Sequence, residues 1–275
     1  MQRFPYLMTV KIGFIGTGRM ASAMIGGILS DGLYVKEEII GCAPSENTRS
    51  RISSEFGIKM YKTAAEVAKL TDFLVLGIKP VQVKPLFTEE GLELGAKHLV
   101  LSIVAGVKIA TLMGYVPDAK IVRVMPNHCC LVGEGAAGYS GGPGVTDNDL
   151  MKVKSVLNSS GLAVEVDEED LDAVTGLSGS SPAFMYMILD AMADAGEMYG
   201  ISRDKSLKLA AQSMLGAAKM VLSTDRTPDE LVDNVCSPGG TTIEGVRVLR
   251  EAGLKNIMID AIKASIERSI EMSEE

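Results

Sequence analysis

The first 166 residues alternate short apolar runs with stretches in which apolar residues recur at helical spacing. The runs are nearly all apolar, which is typical of parallel strands covered by helices on both faces. They occupy residues 10–15, 39–42, 72–78, 99–104 and 121–125. The helical spacing occupies residues 20–29, 49–56 and 64–70. This alternation predicts a doubly wound α/β domain of the Rossmann type.

The pattern changes near residue 167, and no strand is predicted from residue 171 onward. Helices are predicted at residues 180–199, 203–222, 228–234, 242–252 and 257–272. Some of these stretches, such as residues 184–189, are apolar on all sides and must be buried all round. A segment of this length cannot easily bury them alone. We therefore predict a Rossmann domain over residues 1–166 and an all-helical dimerisation domain over residues 167–275.

The chain is acidic, with 27 Lys and Arg against 35 Asp and Glu and a formal net charge of −8. No basic block stands out, so we expect no nucleic-acid partner. The acidic surplus lies at residues 165–172 and 271–275, and our interpretation of both runs is solvated surface. No apolar run approaches the roughly 20 residues that span a bilayer. The first ten residues lack the apolar core of a secretory signal, so we expect a soluble, cytoplasmic protein with no membrane partner.

Cysteine and histidine are too sparse to suggest a metal site. The cysteines are Cys42, Cys129, Cys130 and Cys236, and the chain has two histidines. No Cys-x-x-Cys pair occurs, so no metal is expected. Adjacent cysteines seldom bridge each other, so we expect buried, reduced thiols.

The first predicted strand ends in the motif Gly16-x-Gly18-x-x-Ala21. Gly16 allows a tight turn, Gly18 lets the backbone approach a pyrophosphate, and Ala21 lets helix and strand pack closely. The amides at the helix N-terminus would face the phosphate charge. Because a strand precedes the motif and a helix follows it, we predict NAD(P) binding rather than a glycine-rich turn without a ligand.

Further contacts with the dinucleotide are expected where the other strands end. Residues 77–80 would lie beside the nicotinamide ribose, and the small residues around position 104 would let a flat ring approach the backbone. The predicted cofactor-binding residues are Ile15, Gly16, Thr17, Gly18, Arg19, Met20, Ala43, Ser45, Ile78, Lys79, Pro80, Val104 and Ala105.

The end of the second predicted strand favours NADP(H). NAD enzymes usually place Asp or Glu there to hold the ribose 2′-hydroxyl, whereas this chain continues with Ala43-Pro44-Ser45. Asn47, Thr48 and Arg49 follow, a composition that suits a 2′-phosphate. Glu46 is close enough to leave NAD(H) open.

Two runs of Ser, Thr and Gly in the second half lead directly into predicted helices. They cover residues 172–183 and 233–243. Free amides and hydroxyls at a helix N-terminus can bind an anion. The alternative is plain N-capping by Ser180 and by Thr241 or Thr242.

These motifs together resemble the pyrroline-5-carboxylate reductase family. The strongest similarity is the segment DNVCSPGGTTIEGVRVLREAG, joined by DAVTGLSGSSPAF, the MLGAAKM helix, the RVMPN strand end, the GFIGTGRMA loop and the Ile78-Lys79-Pro80 turn. The resemblance covers nearly the whole chain. Three departures lie at Ser181, at His128-Cys129 and at Asp225-Arg226, and none alters the SPGGTT segment.

The resemblance implies that NAD(P)H reduces the C=N bond of 1-pyrroline-5-carboxylate to give L-proline, the last step of proline biosynthesis. It implies a clamp of backbone amides for the substrate carboxylate. The expected substrate-binding residues are Asn234, Gly239, Gly240, Thr241, Thr242, Ser178, Gly179 and Ser180. Thr242 is the expected catalytic residue, hydrogen-bonded to the ring nitrogen, while His98 and His128 are expected to be structural. The family also implies a homodimer or higher oligomer with interleaved C-terminal helices, so that the site forms where domains meet.

Two other functions stay open at this point. A 3-hydroxyacid or 6-phosphogluconate type of dehydrogenase would use a lysine of the helical half as acid or base. Lys205, Lys208 and Lys219 are available, but none lies in a Gly/Ser-rich motif. A non-catalytic dinucleotide sensor is the second alternative, and the intact SPGGTT segment argues against it.

Overall fold

The computed structural model describes residues 9–274, and side chains through residue 273. The contacts divide it into two compact units. One contains the described residues up to Gly179 together with those from Ser265 onward, and the other is Ser180–Ala264. The domain boundary after residue 166 stays a prediction.

The first unit is built on one eight-stranded sheet with the strand order β3-β2-β1-β4-β5-β6-β7-β8. The strands are β1 Ile12–Ile15, β2 Ile39–Cys42, β3 Lys59–Tyr61, β4 Phe73–Leu76, β5 Leu99–Ser102, β6 Lys120–Pro126, β7 Gly135–Gly141 and β8 Gly161–Glu165. Strands β1 to β6 are parallel neighbours, whereas β7 runs antiparallel to β6 and parallel to β8. The doubly wound α/β architecture is confirmed.

Both faces of the sheet are buried, which is why its central strands are apolar throughout. The side chain of Phe14 packs in one hydrophobic cluster, and that of the next residue, Ile15, packs in a second. Consecutive residues of a strand point to opposite faces, so each face has its own core. The helices of this unit are α1 Arg19–Asp31, α2 Glu46–Phe56, α3 Ala64–Ala68, α4 Val83–Thr88, α5 Ile109–Met113, α6 Asp147–Asn158 and α7 Leu171–Val174.

Three strands were not predicted from the sequence. Strand β7 reads GAAGYSG, and its glycines hide the apolar pattern of a strand. The structure explains one of them, because a Cβ at Gly138 would lie 2.8 Å from a methyl carbon of Val174. Strand β8 is largely exposed, and β3 has only three residues. Neither shows the apolar run that marks a central strand.

Helices make up the second unit, as predicted. They are α8 Ser181–Met198, α9 Arg203–Ser223, α10 Pro228–Val235, α11 Thr241–Glu251 and α12 Leu254–Glu274, of which the last turns belong to the first unit. No strand occurs between residues 171 and 274. Arg203 ties α8 to α9 through ion pairs with Asp190, Asp194 and Glu197.

The helical unit buries few of its own side chains. Among residues 180–264, all of which the structure describes, only Ala193, Ser206 and Ala210 are buried. Large apolar side chains are exposed on every long helix of the unit, including Met187, Met198, Leu209, Leu222 and Ile257. Within the described part of the chain, no helix has the length and apolar character needed to cross a membrane.

Candidate functional site

The glycine loop follows β1 and is held by backbone bonds to its neighbours. The Gly16 N–H donates to the Cys42 carbonyl oxygen at 3.2 Å. Gly16 has a φ of 86°, and a Cβ there would lie 2.6 Å from the Gly77 carbonyl oxygen. Only glycine fits this turn, because a side chain would meet both the left-handed conformation and the neighbouring backbone.

The start of α1 fits the pyrophosphate of a dinucleotide. Gly18 is the N-cap, and no side chain among the described residues caps the helix. A Cβ at Gly18 would meet no protein atom within 4 Å, so the side facing the helix N-terminus is open. The buried hydroxyl of Thr17 has no hydrogen-bond partner within residues 9–274. Free amides and an unpartnered hydroxyl at a helix N-terminus are suited to an anionic ligand.

The ends of β4 and β5 lie next to this loop. The Gly77 N–H donates to the Ile15 carbonyl at 2.9 Å, and the Ile103 N–H donates to the Leu76 carbonyl at 3.1 Å. A Cβ at Gly77 would lie 3.2 Å from the Ala21 Cβ and 3.4 Å from a methyl carbon of Ile103. The turn around Ile78 therefore lies between the glycine loop and the segment that contains Val104.

The predicted cofactor residues differ in what they can offer a ligand. The side chains of Ile15 and Val104 are buried in the second hydrophobic cluster, so only their backbone can contact a ligand. The exposed members of the set are Gly18, Arg19, Ser45, Lys79, Pro80 and Ala105. Lys79 caps a short turn through its backbone, whose N–H donates to Gln82 Oε1 at 3.0 Å.

A small cavity of about 50 Å³ opens between the carboxyl ends of β1, β2 and β4. Its lining includes Gly16, Cys42, Ile78 and Lys62, and Lys62 was not predicted from the sequence. Burial raises the pKa of the Cys42 thiol to about 11, so it is neutral at physiological pH. The cavity lies where a dinucleotide crosses a doubly wound sheet.

The turn after β2 is fixed by an arginine. Arg49 Nη1 donates to the carbonyl oxygens of Ala43 and Pro44, at 2.7 and 2.6 Å. Its guanidinium therefore lies beside the predicted contacts Ala43 and Ser45. The sequence predicts Arg49 only as part of a composition that suits a 2′-phosphate, and this support of the turn is an additional role.

The first Ser/Gly run forms a π turn, Thr175–Gly179. Asn127 holds it, because Asn127 Nδ2 donates to the Ser178 carbonyl at 3.0 Å. Asn127 Oδ1 accepts the N–H groups of Cys129 and Ala136, both at 3.1 Å. The Ser178 hydroxyl donates to the Val174 carbonyl at 3.1 Å, which leaves its oxygen able to accept.

The second Ser/Gly run forms an open helix N-terminus in the helical unit. The Gly240 N–H donates to the Ser237 carbonyl at 3.0 Å, and Gly239 has a φ of 71°. Gly240 is the N-cap of α11 and has no side chain to cap it. Plain capping by Thr241 or Thr242 is therefore wrong, and so is capping by Ser180, whose side chain makes no capping hydrogen bond to α8.

A cavity of about 430 Å³ in the helical unit brings two predicted substrate residues together. Asn234 and the partly buried Thr242 line it. Most other lining side chains are apolar, among them Met220, Val221, Leu231 and Val246. Gly239, Gly240 and Thr241 stand at the neighbouring start of α11, whereas Ser178 and Gly179 belong to the first unit.

The two histidines differ in surroundings. His98 is buried, and the Gly95 N–H approaches its Nδ1 at 2.9 Å. His98 Nε2 lies 3.1 Å from the Ala68 carbonyl oxygen, so both ring nitrogens contact the backbone and the role of His98 is structural, as predicted. His128 is exposed at the start of a 3₁₀ turn.

The thiols are free, but two of them are less buried than expected. Cys42 and Cys130 are buried, whereas Cys129 and Cys236 are partly exposed. Between residues 9 and 274, no three His, Cys, Asp or Glu side chains cluster in a way that could hold a metal ion.

The acidic run at residues 165–172 is not simply a solvated surface, which corrects the prediction. Glu168 Oε1 accepts from Arg123 Nη1 at 3.2 Å and from the Ile109 N–H at 2.7 Å. The Asp172 carboxylate accepts from the hydroxyls of Ser269 and Ser273, at 2.6 and 3.4 Å. The missed signal was Arg123, since a cation inside an apolar strand requires a partner.

Family models match both parts of the chain. The model described as pyrroline-5-carboxylate reductase dimerisation matches residues 168–272. The model described as NADP oxidoreductase coenzyme F420-dependent matches residues 11–106.

Similar proteins match over nearly the whole length. The pyrroline-5-carboxylate reductase of Escherichia coli (strain K12) is 39% identical, with 97% of this chain and 99% of the relative covered. A solved pyrroline-5-carboxylate reductase from Coxiella burnetii has a TM-score of 0.89 and 30% identity, covering 96% of this chain and 98% of that one. The Plasmodium falciparum pyrroline carboxylate reductase, solved with NADP bound, has a TM-score of 0.81 and 31% identity, covering 97% and 99%.

Proposed function

Because the chain belongs to the pyrroline-5-carboxylate reductase family, we propose that it reduces 1-pyrroline-5-carboxylate to L-proline with a reduced nicotinamide dinucleotide. This reaction is the last step of proline biosynthesis. The observation that carries the proposal is the uncapped N-terminus of α11 after Ser237–Gly240, beside a cavity lined by Asn234 and Thr242. The helix N-terminus offers backbone N–H donors to the carboxylate of the substrate, and the cavity offers apolar side chains to its ring.

The first unit would hold the cofactor at the carboxyl ends of β1, β2, β4 and β5. The free amides at the start of α1 would bind the pyrophosphate. The backbone around Ile78, Val104 and Ala105 would border the nicotinamide end. When bound, the reduced nicotinamide supplies the hydride that the imine carbon of the substrate accepts.

The helical unit would bind the substrate carboxylate without an arginine. The amides of Thr241 and Thr242 open α11 and carry the positive end of its dipole, whereas the Gly240 N–H already donates to the Ser237 carbonyl. Gly239 makes the turn that exposes them, because its φ of 71° is unfavourable for other residues. Asn234 would contact the substrate or anchor the clamp loop, and Ser178, Gly179 and Ser180 would supply further contacts near the ring.

Thr242 would orient the ring nitrogen rather than act as a strong acid. A hydroxyl is a weak acid at neutral pH, and Thr242 faces a mostly apolar cavity. We infer that the imine arrives already protonated, so the hydride completes the amine without a further proton. Positioning of the iminium then supplies most of the rate.

We also infer a preference for NADP(H) over NAD(H). Arg49 and Lys62 place two cations near the turn after β2, and the exposed Ser45 opens α2. Replacing Lys62 by Met should lower NADPH affinity by about tenfold and leave NADH affinity unchanged, because only NADPH carries the 2′-phosphate. Equal losses for both cofactors would contradict the preference.

The cytoplasmic location stays a prediction.

One pair of variants tests the role of Thr242. Thr242→Ala should lower kcat by roughly 10–100-fold with an unchanged melting temperature, because it loses only an orienting hydrogen bond. Thr242→Ser is the matched control, since it keeps the hydroxyl at the same position and should retain most of kcat. Unchanged kcat and kcat/KM in Thr242→Ala would remove Thr242 from the mechanism.

A panel of substrates separates the proposal from its alternatives. NADPH oxidation is measured with 1-pyrroline-5-carboxylate. NADP⁺ reduction is measured with 3-hydroxyacids and with 6-phosphogluconate. Turnover of the imine alone is expected. Lys205, Lys208 and Lys219 are all exposed on α9 in the isolated chain, and none of them lines the cavity that contains Asn234 and Thr242. Tight NADPH binding without turnover would instead favour a sensor.

A further inference from the structure

The segment between β5 and α5 is fastened at both ends. It covers residues 103–108 and contains the predicted cofactor contacts Val104 and Ala105. At its start, the Ile103 N–H donates to the Leu76 carbonyl, and the Val104 N–H donates to Ser102 Oγ at 3.4 Å. At its end, the Ile109 N–H donates to Glu168 Oε1 at 2.7 Å.

The fastening at Ile109 comes from a residue 59 positions later in the chain. Lys108, the N-cap residue of α5, makes no capping hydrogen bond with its side chain. The Glu168 carboxylate takes that place. An ionised acceptor makes shorter and stronger bonds to N–H groups than a neutral one, so the choice of Glu matters.

Arg123 fixes the carboxylate. It lies on β6 opposite Ser102 of β5, and its side chain is only 8% exposed. Its Nη1 atom donates to the same oxygen of Glu168 at 3.2 Å. A buried cation needs this partner, so Arg123 restricts Glu168 to one position and Glu168 restricts the start of α5.

Between its two ends the segment is held by apolar packing and turns at an exposed glycine. The side chains of Val104 and Val107 pack in or against the second hydrophobic cluster, whereas Gly106 has a φ of 71° and Ala105 is exposed. Without the bond at Ile109, this packing would still retain the segment, but the polar contact that fixes where the backbone enters α5 would be lost. The orientation of a planar ring packed on this backbone would follow the position of that entry.

We propose that Arg123 and Glu168 are positioning residues that orient the nicotinamide by fastening residues 103–108. The inference rests on the proposed function and on the predicted contacts of Val104 and Ala105. The pair touches neither substrate nor cofactor in this assignment. It acts through the backbone of the segment, so its loss changes the placement of the ring more than the affinity for the whole dinucleotide.

The test compares Glu168→Gln with Glu169→Gln. Glu168→Gln keeps the size of the side chain and an oxygen acceptor, but removes the charge that faces Arg123. Glu169→Gln removes the same charge one residue later, on an exposed side chain. We expect Glu168→Gln to lower kcat roughly 10–100-fold, with KM for NADPH and for the imine within about threefold. Arg123→Lys should retain more activity than Arg123→Met, because it keeps the charge.

Two measurements separate positioning from a loss of folding. The primary isotope effect on kcat with 4-deuterated NADPH should rise in Glu168→Gln, since hydride transfer becomes slower relative to the other steps. The fluorescence emission of bound NADPH should change in Glu168→Gln. In Glu169→Gln it should be the same as in the unaltered chain. A lower melting temperature with unchanged kcat, isotope effect and emission would overturn the proposal.

Hydrogen exchange keeps the test independent of turnover. Residues 103–113 should exchange faster in Glu168→Gln than in Glu169→Gln, in the chain without cofactor. If the unaltered chain does not reduce 1-pyrroline-5-carboxylate, the proposed function fails. Faster exchange together with altered NADPH emission would then still support positioning of the ring, whereas equal exchange would overturn it.

Discussion

The α/β unit and the helical unit bury their apolar side chains to very different extents. In the first, two clusters on opposite faces of the sheet bury residues such as Phe14 and Leu76 almost completely. In the second, only Ala193, Ser206 and Ala210 are buried, all of them small. The first unit completes its core with its own chain. The second unit exposes large apolar side chains that need another surface to cover them. This agrees with the family model for pyrroline-5-carboxylate reductase dimerisation, which matches residues 168–272.

The functional segments differ in the same way. The glycine loop and the π turn are held by neighbouring strands and by Asn127. The Ser237–Gly240 turn is exposed, and its one described backbone bond joins its own two ends. We infer that the glycine loop and the π turn are preorganised by their own unit, whereas the Ser237–Gly240 turn has fewer supporting contacts within the described chain.

The largest effect is expected from charges placed on the exposed apolar surface of the helical unit. Met187 is 72% exposed and Leu209 is 64% exposed in the isolated chain. Burying each side chain between subunits would contribute about 1.5–3 kcal/mol, so the double substitution Met187→Glu with Leu209→Glu should dissociate the oligomer and abolish activity. Sedimentation and activity are measured over a dilution series.

Leu162→Glu is the matched control for that experiment. Leu162 is 51% exposed on β8 of the α/β unit. This variant should remain oligomeric and active, because the α/β unit has a complete core of its own. Full activity of the Met187→Glu, Leu209→Glu variant as a monomer would contradict the inference that the helical unit needs a second subunit.

A smaller but still large effect is expected in the glycine loop. Gly16→Ala forces a side chain to within 2.6 Å of the Gly77 carbonyl and should weaken NADPH binding about 100-fold, equivalent to roughly 3 kcal/mol. Gly32→Ala is the control, because Gly32 also has a positive φ but an open surrounding. It should lower stability and leave the NADPH dissociation constant unchanged. Similar dissociation constants for the two variants would mean that the close approach at Gly77 is unimportant.

A pair of asparagines sharpens the comparison further. Asn127→Ala removes three hydrogen bonds at a buried position and should lower the free energy of unfolding by about 2–4 kcal/mol. Asn234 is exposed, so Asn234→Ala should change the free energy of unfolding by less than about 0.5 kcal/mol. The same substitution should raise KM for the imine. Urea unfolding of both variants provides the measurement. Equal destabilisation would show that the clamp is as rigidly held as the π turn.

The smallest effect is expected at two capping boxes, one in each unit. Glu66 accepts from the N–H and hydroxyl of Thr63, at 2.9 and 2.8 Å, and Glu230 accepts from those of Thr227, at 2.7 and 3.0 Å. The hydroxyl of Thr63 is the main cause that lowers the pKa of Glu66, and the N–H of Thr227 is the main cause for Glu230.

The pH dependence follows from the sign of those shifts. A folded-state pKa below the ordinary 4.5 means that stabilisation is present above about pH 4.5 and is lost as pH falls through the folded-state pKa. Glu66→Gln and Glu230→Gln should therefore melt slightly lower than the unaltered chain at pH 7, with the difference vanishing in acid. A difference that persists unchanged as both carboxyl groups become protonated would contradict the linkage.

The sequence predicted the elements whose pattern is set by local physics. The boundaries of β2 agree with the prediction, and those of α8 and α9 agree within one residue, because continuous apolar runs and helical spacing are visible without the fold. Strand β7 was missed because its glycines carry no apolar signal. Gly138 must be small because Val174, which is distant in the sequence, packs against it, and only the fold brings the two residues together.

The candidate site divides along the same line. The Gly16 and Ser237–Gly240 turns could be recognised because a glycine at a helix start is a local signal. Glu168 was assigned to the solvent, since the acidic run around it looks uniform and its partners lie 45 and 59 residues away. Lys62 was missed because it stands outside any motif and reaches the cavity from beside the edge strand β3.

The two ends of the sheet bear on what kind of assembly the chain can form. Strand β3 has three residues and begins with Lys59, while β8 has five and ends with Glu165. A three-residue outer strand that begins with a lysine, as β3 does, resists pairing with the strands of another molecule, whereas β8 exposes Leu162 and Val164. Growth by adding sheet to sheet is therefore disfavoured at the β3 end. The larger exposed apolar surface lies on the helices of the second unit, where matching surfaces that close on themselves would give a particle of fixed size instead of a fibre.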